Sequence, residues 1–365
     1  MTSSNSIHVA VLPGDGIGRE VMQPCLQCLD VLAARSGGFS FTYETLEAGA
    51  GVFRDTGVAL PDDVVKKAGA ADVMLLGAMG LPDIRYEDGR EITPQIELRE
   101  IFDLYAGVRP VETFPGSPVP LKDPRAAQLD FVLIRENTEG LFASRGACEM
   151  VGDDEARDTM VITRKGTERL SDFALKLAER RKAQGRGQGR VTCIDKANVF
   201  GSFAFMRKVF YERAAEFSGL TADHAYVDAT SLALVRNPWV FDVMITENMF
   251  GDILSDQAAA LMGGMGMAPS ADIGDKHGLF QPCHGTAPDI MGSGKANPSA
   301  MLLSGAMMLD WLGETMNSPE LTGAGETFRN AVRAAFSDGN LIPYEVGGSA
   351  GLREVSNRVL DILKS

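Results

Sequence analysis

One pattern constrains this chain more than any other: a short apolar run, then a turn, then a stretch whose apolar residues recur at helical spacing, several times over. Residues 7–12 are such a run; they end in Pro13-Gly14-Asp15-Gly16 and give way to helical periodicity over 19–32. A helical segment at 64–68 precedes an apolar run at 71–77, and a further run lies at 131–134. The runs at 191–194 and 240–246 are followed by helical stretches at 203–217 and 251–261, and another helical stretch covers 97–105. Parallel strands need a crossover connection, usually a helix, so this alternation predicts an α/β fold around a largely parallel sheet. Sandwiches and helical bundles are excluded.

Composition sets the scale. A chain of 365 residues corresponds to about two domains at roughly 100–200 residues each. The net charge of −14 repels polyphosphate and anionic membrane surfaces, which argues against nucleic-acid or membrane partners. Any anionic ligand must be held by a local basic cluster. The five cysteines, with one close pair, do not read as an oxidised framework. Cys25 and Cys28 have C-x-x-C spacing but fall inside a helical pattern without a second pair or a nearby histidine, so two core-facing thiols are expected. The N-terminus lacks a basic leader region and no run approaches the roughly 18 apolar residues of a membrane span, which points to a cytoplasmic location. The Gly- and Arg-rich segment 182–190 has no aromatic residue for base stacking and is read as a flexible loop.

Gly14-Asp15-Gly16-Ile17-Gly18 lies between strand and helix, but its spacing departs from the dinucleotide fingerprint, and a tight strand-to-helix turn is the plain alternative. Gly292-Ser293-Gly294-Lys295 lacks the upstream glycine and following hydroxyl residue of a phosphate loop. Asp252 and Asp256 are more informative, because their spacing places them side by side on one helix face. Adjacent carboxylates in an otherwise apolar stretch repel unless a cation lies between them, and an all-oxygen donor set suits Mg²⁺ or Mn²⁺; a solvated acidic face is the alternative. Asp228, near a strand end, is a candidate third carboxylate. Arg99, Arg109 and Arg135 are candidates for a carboxylate clamp, since guanidinium forks bind carboxylates bidentately. Lys196 closes a strand at the end where open α/β sheets bind ligands and is a candidate base.

Taken in order, Leu12-Pro13-Gly14-Asp15-Gly16-Ile17-Gly18, Leu98-Arg99, Val108-Arg109-Pro110, Arg135-Glu136-Asn137-Thr138-Glu139-Gly140, Asp195-Lys196-Ala197-Asn198, Phe250-Gly251-Asp252-Ile253-Leu254-Ser255-Asp256 and His284-Gly285-Thr286-Ala287-Pro288-Asp289 resemble the β-decarboxylating dehydrogenases of the isocitrate and isopropylmalate dehydrogenase family. The likeness is to the NAD-dependent 3-isopropylmalate dehydrogenase-like branch. It implies a two-domain fold with a largely parallel sheet that is not a Rossmann domain. The cofactor-side domain is then 1–105 with 264–365, and 106–263 form a second domain for dimerisation, metal and substrate. It implies a homodimer or larger assembly with shared sites, helices near 203–217 and 251–261 packing across the two-fold axis, and Lys196 and Asp228 supplied by the neighbouring subunit.

By the same resemblance, Arg99, Arg109 and Arg135 grip the malate moiety of a 2-hydroxy di- or tricarboxylate, and Asp228, Asp252 and Asp256 hold Mg²⁺ or Mn²⁺. His284, Gly285, Thr286, Ala287, Asp289, Ile290 and Asn297 line the cofactor. Asp289 and Ile290 stand where the family's NADP users carry basic or aromatic residues. An aspartate accepts hydrogen bonds from ribose hydroxyls and repels a 2′-phosphate, so NAD is expected. The implied reaction is hydride transfer from the substrate hydroxyl, loss of the β-carboxylate as CO₂ and protonation of the enolate, with Lys196 as base, directly or through water or Asp228.

Three positions depart from the family. Phe142 stands where the family has the tyrosine acid that protonates the enolate, Gln281 where many members have a glutamate near the nicotinamide, and Ile92 where the isopropylmalate branch often has another. Ahead of Arg99, Thr93 and Gln95 resemble the polar pair of isocitrate enzymes, whereas Ile96 resembles the apolar set of isopropylmalate enzymes. The substrate expected is 3-isopropylmalate, with isocitrate, homoisocitrate, tartrate and D-malate as alternatives. Phe142 also leaves room for a catalytically weak regulatory or binding subunit, and a non-redox lyase using the same metal is the third reading.

Overall fold

The computed structural model describes residues 5–365. Its strands are β1 (Asn5–Gly14), β2 (Phe39–Thr45), β3 (Val73–Ala78), β4 (Ala106–Glu112), β5 (Asp130–Glu136), β6 (Glu149–Val151), β7 (Glu155–Arg157), β8 (Arg190–Asp195), β9 (Thr221–Tyr226), β10 (Val243–Thr246), β11 (Pro269–Ile273) and β12 (Gly278–Pro282). Its helices are α1 (Ile17–Ser36), α2 (Ala50–Thr56), α3 (Asp62–Ala70), α4 (Pro94–Ile101), α5 (Arg164–Ala183), α6 (Gly201–Ala214), α7 (Val227–Arg236), α8 (Asn248–Ala260), α9 (Ser299–Thr315), α10 (Pro319–Phe336) and α11 (Leu352–Lys364). The α/β class follows from this order.

The chain divides into two compact units. Unit 1 holds residues 1–102, 114–120 and 262–365; unit 2 holds 103–113 and 121–261. In unit 1 the strands run β2-β1-β3-β12-β11, parallel except for the antiparallel pair β11 and β12. All of Val73–Ala78 is buried, as expected of a strand covered on both faces. Phe280 lies beside it on β12, and Phe328 and Phe336 are buried on α10 in the same unit, each of the three contributing about 1.5–3 kcal/mol by area removed from water. Cys25 and Cys28 are reduced and buried on α1. Burial pushes the Cys28 thiol up to about 12, so the pair has neither the exposure nor the thiolate character that redox or zinc chemistry requires.

In unit 2 the order is β4-β5-β10-β8-β9, with β4 antiparallel to β5 and the rest parallel. β6 and β7 form a separate exposed hairpin. The basic segment 182–190 contains the end of α5 and a loop, in which Arg186 pairs with Asp130 and Glu112. Among the described residues no helix is long and apolar enough to cross a membrane.

Several boundaries differ from the periodicity. The helical stretch 97–105 is instead Pro94–Ile101, because Asp103 takes a left-handed conformation with φ 48° and the apolar Leu104 and Tyr105 lead into β4. Such a residue ends a helix whatever the pattern beyond it. The helix placed at 203–217 is Gly201–Ala214. The strand placed at 240–246 begins only at Val243, after the turn that Pro238 starts. The helix placed at 251–261 begins earlier, at Asn248, because buried Glu247 caps it, accepting from Met249 N at 3.0 Å and Phe250 N at 2.7 Å.

Candidate active site

In unit 2 the parallel strands end in register. Arg135 on β5 lies opposite Thr246 on β10, Thr246 opposite Ile194 on β8, and Asp195 opposite Tyr226 on β9. The segments that follow therefore leave the sheet along one edge, the carboxyl edge at which open α/β sheets bind ligands. Arg135 closes its strand there, Lys196 follows Asp195, Asp228 opens α7, and α8 rises just after Thr246.

Arg135 is the centre of this edge and is 3% exposed. Its Nε and Nη2 donate to Asn248 Oδ1 at 2.9 and 2.7 Å, and Nη1 pairs with Asp252. Asn248, Asp252 and Asp256 are spaced by four on α8, so they form a stripe along one face. The helix can approach because position 251 is glycine: a Cβ there would lie 2.6 Å from Arg135 Cγ. Asn248 is held in turn by donating Nδ2 to Glu139 O at 3.1 Å.

The two α8 carboxylates differ in environment. Asp252 is paired with Arg135 yet largely exposed. Asp256 faces solvent at one side, but desolvation and then the Asp252 charge push its carboxyl above the ordinary aspartate range, against the pull of Arg109 and Arg135. Arg109, on β4, is 6% exposed and donates Nη1 to Val108 O at 3.2 Å.

Lys196 Nζ lies 2.6 Å from Asp228 Oδ1, and this bond, more than any other group, holds the Asp228 carboxyl below its usual range. Asp195, fully buried just before Lys196, is gripped by Arg207 through bonds of 2.6 and 2.7 Å, which fixes the strand end from which Lys196 projects. Phe142 lies in the turn Leu141–Ser144, and its ring centroid is 5.0 Å from the Arg135 guanidinium carbon. Among the described residues no three His, Cys, Asp or Glu side chains come together as a metal-ligating group. One chain thus offers Asp252 and Asp256 together and Asp228 apart from them.

In unit 1 the loops after β1, β3 and β12 are tied to one another. The Asp15 carboxylate accepts from Ala50 N at 2.7 Å, Gly51 N at 2.9 Å and Gly80 N at 2.9 Å, capping α2 and pinning the loop after β3. Gly16 has φ 54°, and a Cβ on it would fall 2.1 Å from Thr286 O. Ile17 N donates to that same carbonyl, and Thr286 Oγ1 donates to Gly80 O at 2.6 Å. The glycine motif therefore makes a tight turn stitched to the His284–Thr286 loop.

His284 binds Gly285 O through Nδ1 at 2.8 Å, while its enclosed Nε2 has no partner and desolvation lowers its pKa. Ala287 has φ 35°, Gly285 and Asp289 are exposed, and Ile290 is half-buried. Asn297 is buried and committed inward, donating Nδ2 to Glu345 Oε1 at 2.7 Å and accepting from Ser299 Oγ at 2.7 Å.

Arg99 is on α4, with Thr93 just before that helix and Gln95 in its first turn. Gln95 Oε1 is enclosed without a partner. Ile92 is fully buried against Ala50 and Ala59, with Phe53, Leu81, Ile84 and Tyr86 packed around them. Arg99 Nε donates to Asp272 Oδ2 at 2.8 Å, and Gln281 Nε2 donates to that same oxygen at 2.8 Å. Sequence reasoning missed Asp272, Asn248 and Glu247 as partners. Asp272 was marked by being an acid within the wholly buried strand Pro269–Ile273, and such a charge requires a cation.

A family model described as isocitrate/isopropylmalate dehydrogenase matches residues 8–359. The 3-isopropylmalate/3-methylmalate dehydrogenase of Methanocaldococcus jannaschii is 39% identical over 353 residues, 96% of this chain and 98% of that protein. The homoisocitrate dehydrogenase of the same organism is 39% identical over 364 residues, 98% of each. The crystal structure of isocitrate dehydrogenase from Methylococcus capsulatus matches with a TM-score of 0.85 and 32% identity, covering 98% of this chain and 100% of that one.

Proposed function

The chain belongs to the isocitrate/isopropylmalate dehydrogenase family and is a decarboxylating dehydrogenase, and from that premise we propose that it oxidises and decarboxylates a malate-type 2-hydroxy acid, 3-isopropylmalate first, with NAD and Mg²⁺ or Mn²⁺. The observation that carries this reading is the buried Arg135 guanidinium, anchored by Asn248 beside two carboxylates. A dianion site inside an acidic protein needs such a local cation, and Arg109 adds a second on the neighbouring strand.

The donors fit a hard cation. Asp252 and Asp256 supply only oxygen, and the Asp256 carboxyl, raised by desolvation and then by the Asp252 charge, sits where a divalent ion would favour its charged form. Asp228 of a second copy completes the proposed ligand set, which makes the working unit a homodimer or larger. The unpartnered Nε2 of His284 and the exposed Asp289 fit a dinucleotide, with Asp289 favouring a free ribose hydroxyl over a 2′-phosphate. NAD, when bound, would supply the hydride acceptor, and a divalent cation would supply positive charge where negative charge develops on the substrate oxygen.

The protein's own groups position and move protons. Arg99, Arg109 and Arg135 grip the substrate carboxylates. Lys196 is the base that draws off the hydroxyl proton, and the Asp228 carboxylate, which accepts a hydrogen bond from Nζ at 2.6 Å, holds the amine in place. Phe142 has no proton to give, so water or Lys196 returns one to the enolate. Phe142 beside Arg135 also favours a second reading, a catalytically weak binding subunit. Absorbance of reduced cofactor across 3-isopropylmalate, isocitrate, homoisocitrate, D-malate and tartrate, each with NAD or NADP and Mn²⁺, separates the two. Turnover of none of them would sink the first reading.

A further inference from the structure

Arg99 is held by its inner edge alone. Its side chain is 10% exposed, its Nε donates to the fully buried Asp272, and among the described residues it makes no other hydrogen bond. Both Nη groups are thus left without a protein acceptor. Asp272 lies opposite Leu279 and Ser270 opposite Gln281, so Gln281 reaches Asp272 along the diagonal of one sheet face. Its amide NH₂ gives Asp272 Oδ2 a second donor.

We propose that Asp272 and Gln281 form a positioning pair that holds Arg99 by Nε and leaves its Nη edge for a carboxylate of the substrate. The inference rests on the reading of Arg99 as a substrate clamp. Ion-pairing and hydrogen bonds offset the cost of burying Asp272. A planar guanidinium that has spent one donor still presents two parallel N–H groups for bidentate capture. Gln281 is the chemically required partner: it donates, whereas a glutamate there would place a second carboxylate against Asp272, and one of the two would have to take up a proton. The amide at 281 and the acid at 272 are therefore a coupled choice.

The test compares Asp272→Asn and Gln281→Glu with wild type on the best substrate of the panel. For Asp272→Asn we expect KM to rise about 30-fold and kcat to change less than about 3-fold, since positioning for binding is lost rather than chemistry. For Gln281→Glu we expect KM to rise about 10-fold near about pH 8.5 and to recover toward wild type near about pH 6, where the added carboxyl is protonated and donates. KM within about 2-fold of wild type in both variants, or a Gln281→Glu penalty that does not vary with pH, overturns the proposal. If Asp272→Asn does not fold, Gln281→Glu decides alone. If wild type turns over no substrate, the Nε–H of Arg99 in ¹⁵N-arginine-labelled protein still reports: slow solvent exchange in wild type and faster exchange in Gln281→Glu support the pair, and equal exchange overturns it independently of the function.

Discussion

Arg99 in unit 1 and Arg135 in unit 2 are both buried guanidinium groups, yet they are anchored in different ways. Arg99 is tied through Nε to a carboxylate with no solvent exposure. Arg135 is tied through Nε and Nη2 to a neutral amide, and its remaining edge meets Asp252, whose side chain is 54% exposed. A buried acid compensates the charge of Arg99 and makes it a rigid fork. The charge of Arg135 instead faces Asp252, an exposed carboxylate that a bound cation would also claim. The field at the carboxyl edge of unit 2 is accordingly the more responsive to ligand, metal and pH.

That contrast can be broken most directly by substitution. Arg135→Lys should lower kcat/KM about 1000-fold, some 4 kcal/mol, because a lysine cannot bridge Asn248, Asp252 and a ligand together, while Arg99→Lys should cost about 100-fold. Equal losses in steady-state assays would remove the distinction. Gly251→Ala should destabilise by about 1–3 kcal/mol, seen as a fall in Tm of several degrees, since the added methyl meets the Arg135 stem and the helix must back away. An unchanged Tm would show that α8 yields freely.

The pH response sharpens the same contrast. Burial raises the Glu136 carboxyl, next to Arg135, to about 6. A raised folded value means that its contribution is fully present below the ordinary glutamate range and is lost as pH rises through about 6, an effect of about 2 kcal/mol. Urea midpoints of Glu136→Gln should be flatter than wild type between about pH 4.5 and 7. Asp256 has the same sign, so Mn²⁺ should raise Tm more above its folded value than below it, and Asp256→Asn should abolish that difference. The smallest effect is Phe142→Tyr, expected to speed the product-forming step about 5-fold by restoring an acid beside Arg135. Unchanged rate and product would show that the ring stands away from the reacting carbon.

Much of this was legible in the residues. Strand and helix alternation predicted the α/β class, and the motifs carrying Arg135, Lys196, Asp228, Asp252 and Asp256 did place those groups at strand ends or on one helix face. Helix ends were less legible, because a capping side chain such as Glu247 or a left-handed residue such as Asp103 decides them and neither alters the apolar period. The function of Asn297 as an inward tie to Glu345 was also hidden, since an amide next to a cofactor motif looks the same whether it faces the ligand or the core.

By itself, then, the sequence determined which chemical groups exist, their order and the periodicities that make strands and helices, because those depend on neighbours along the chain. Only the tertiary structure decided which groups meet. Asp272 is 173 positions from Arg99, and Asn248 is 113 from Arg135. No local rule links such residues; the cost of burying an unpaired charge does, and that cost is settled where the chain packs.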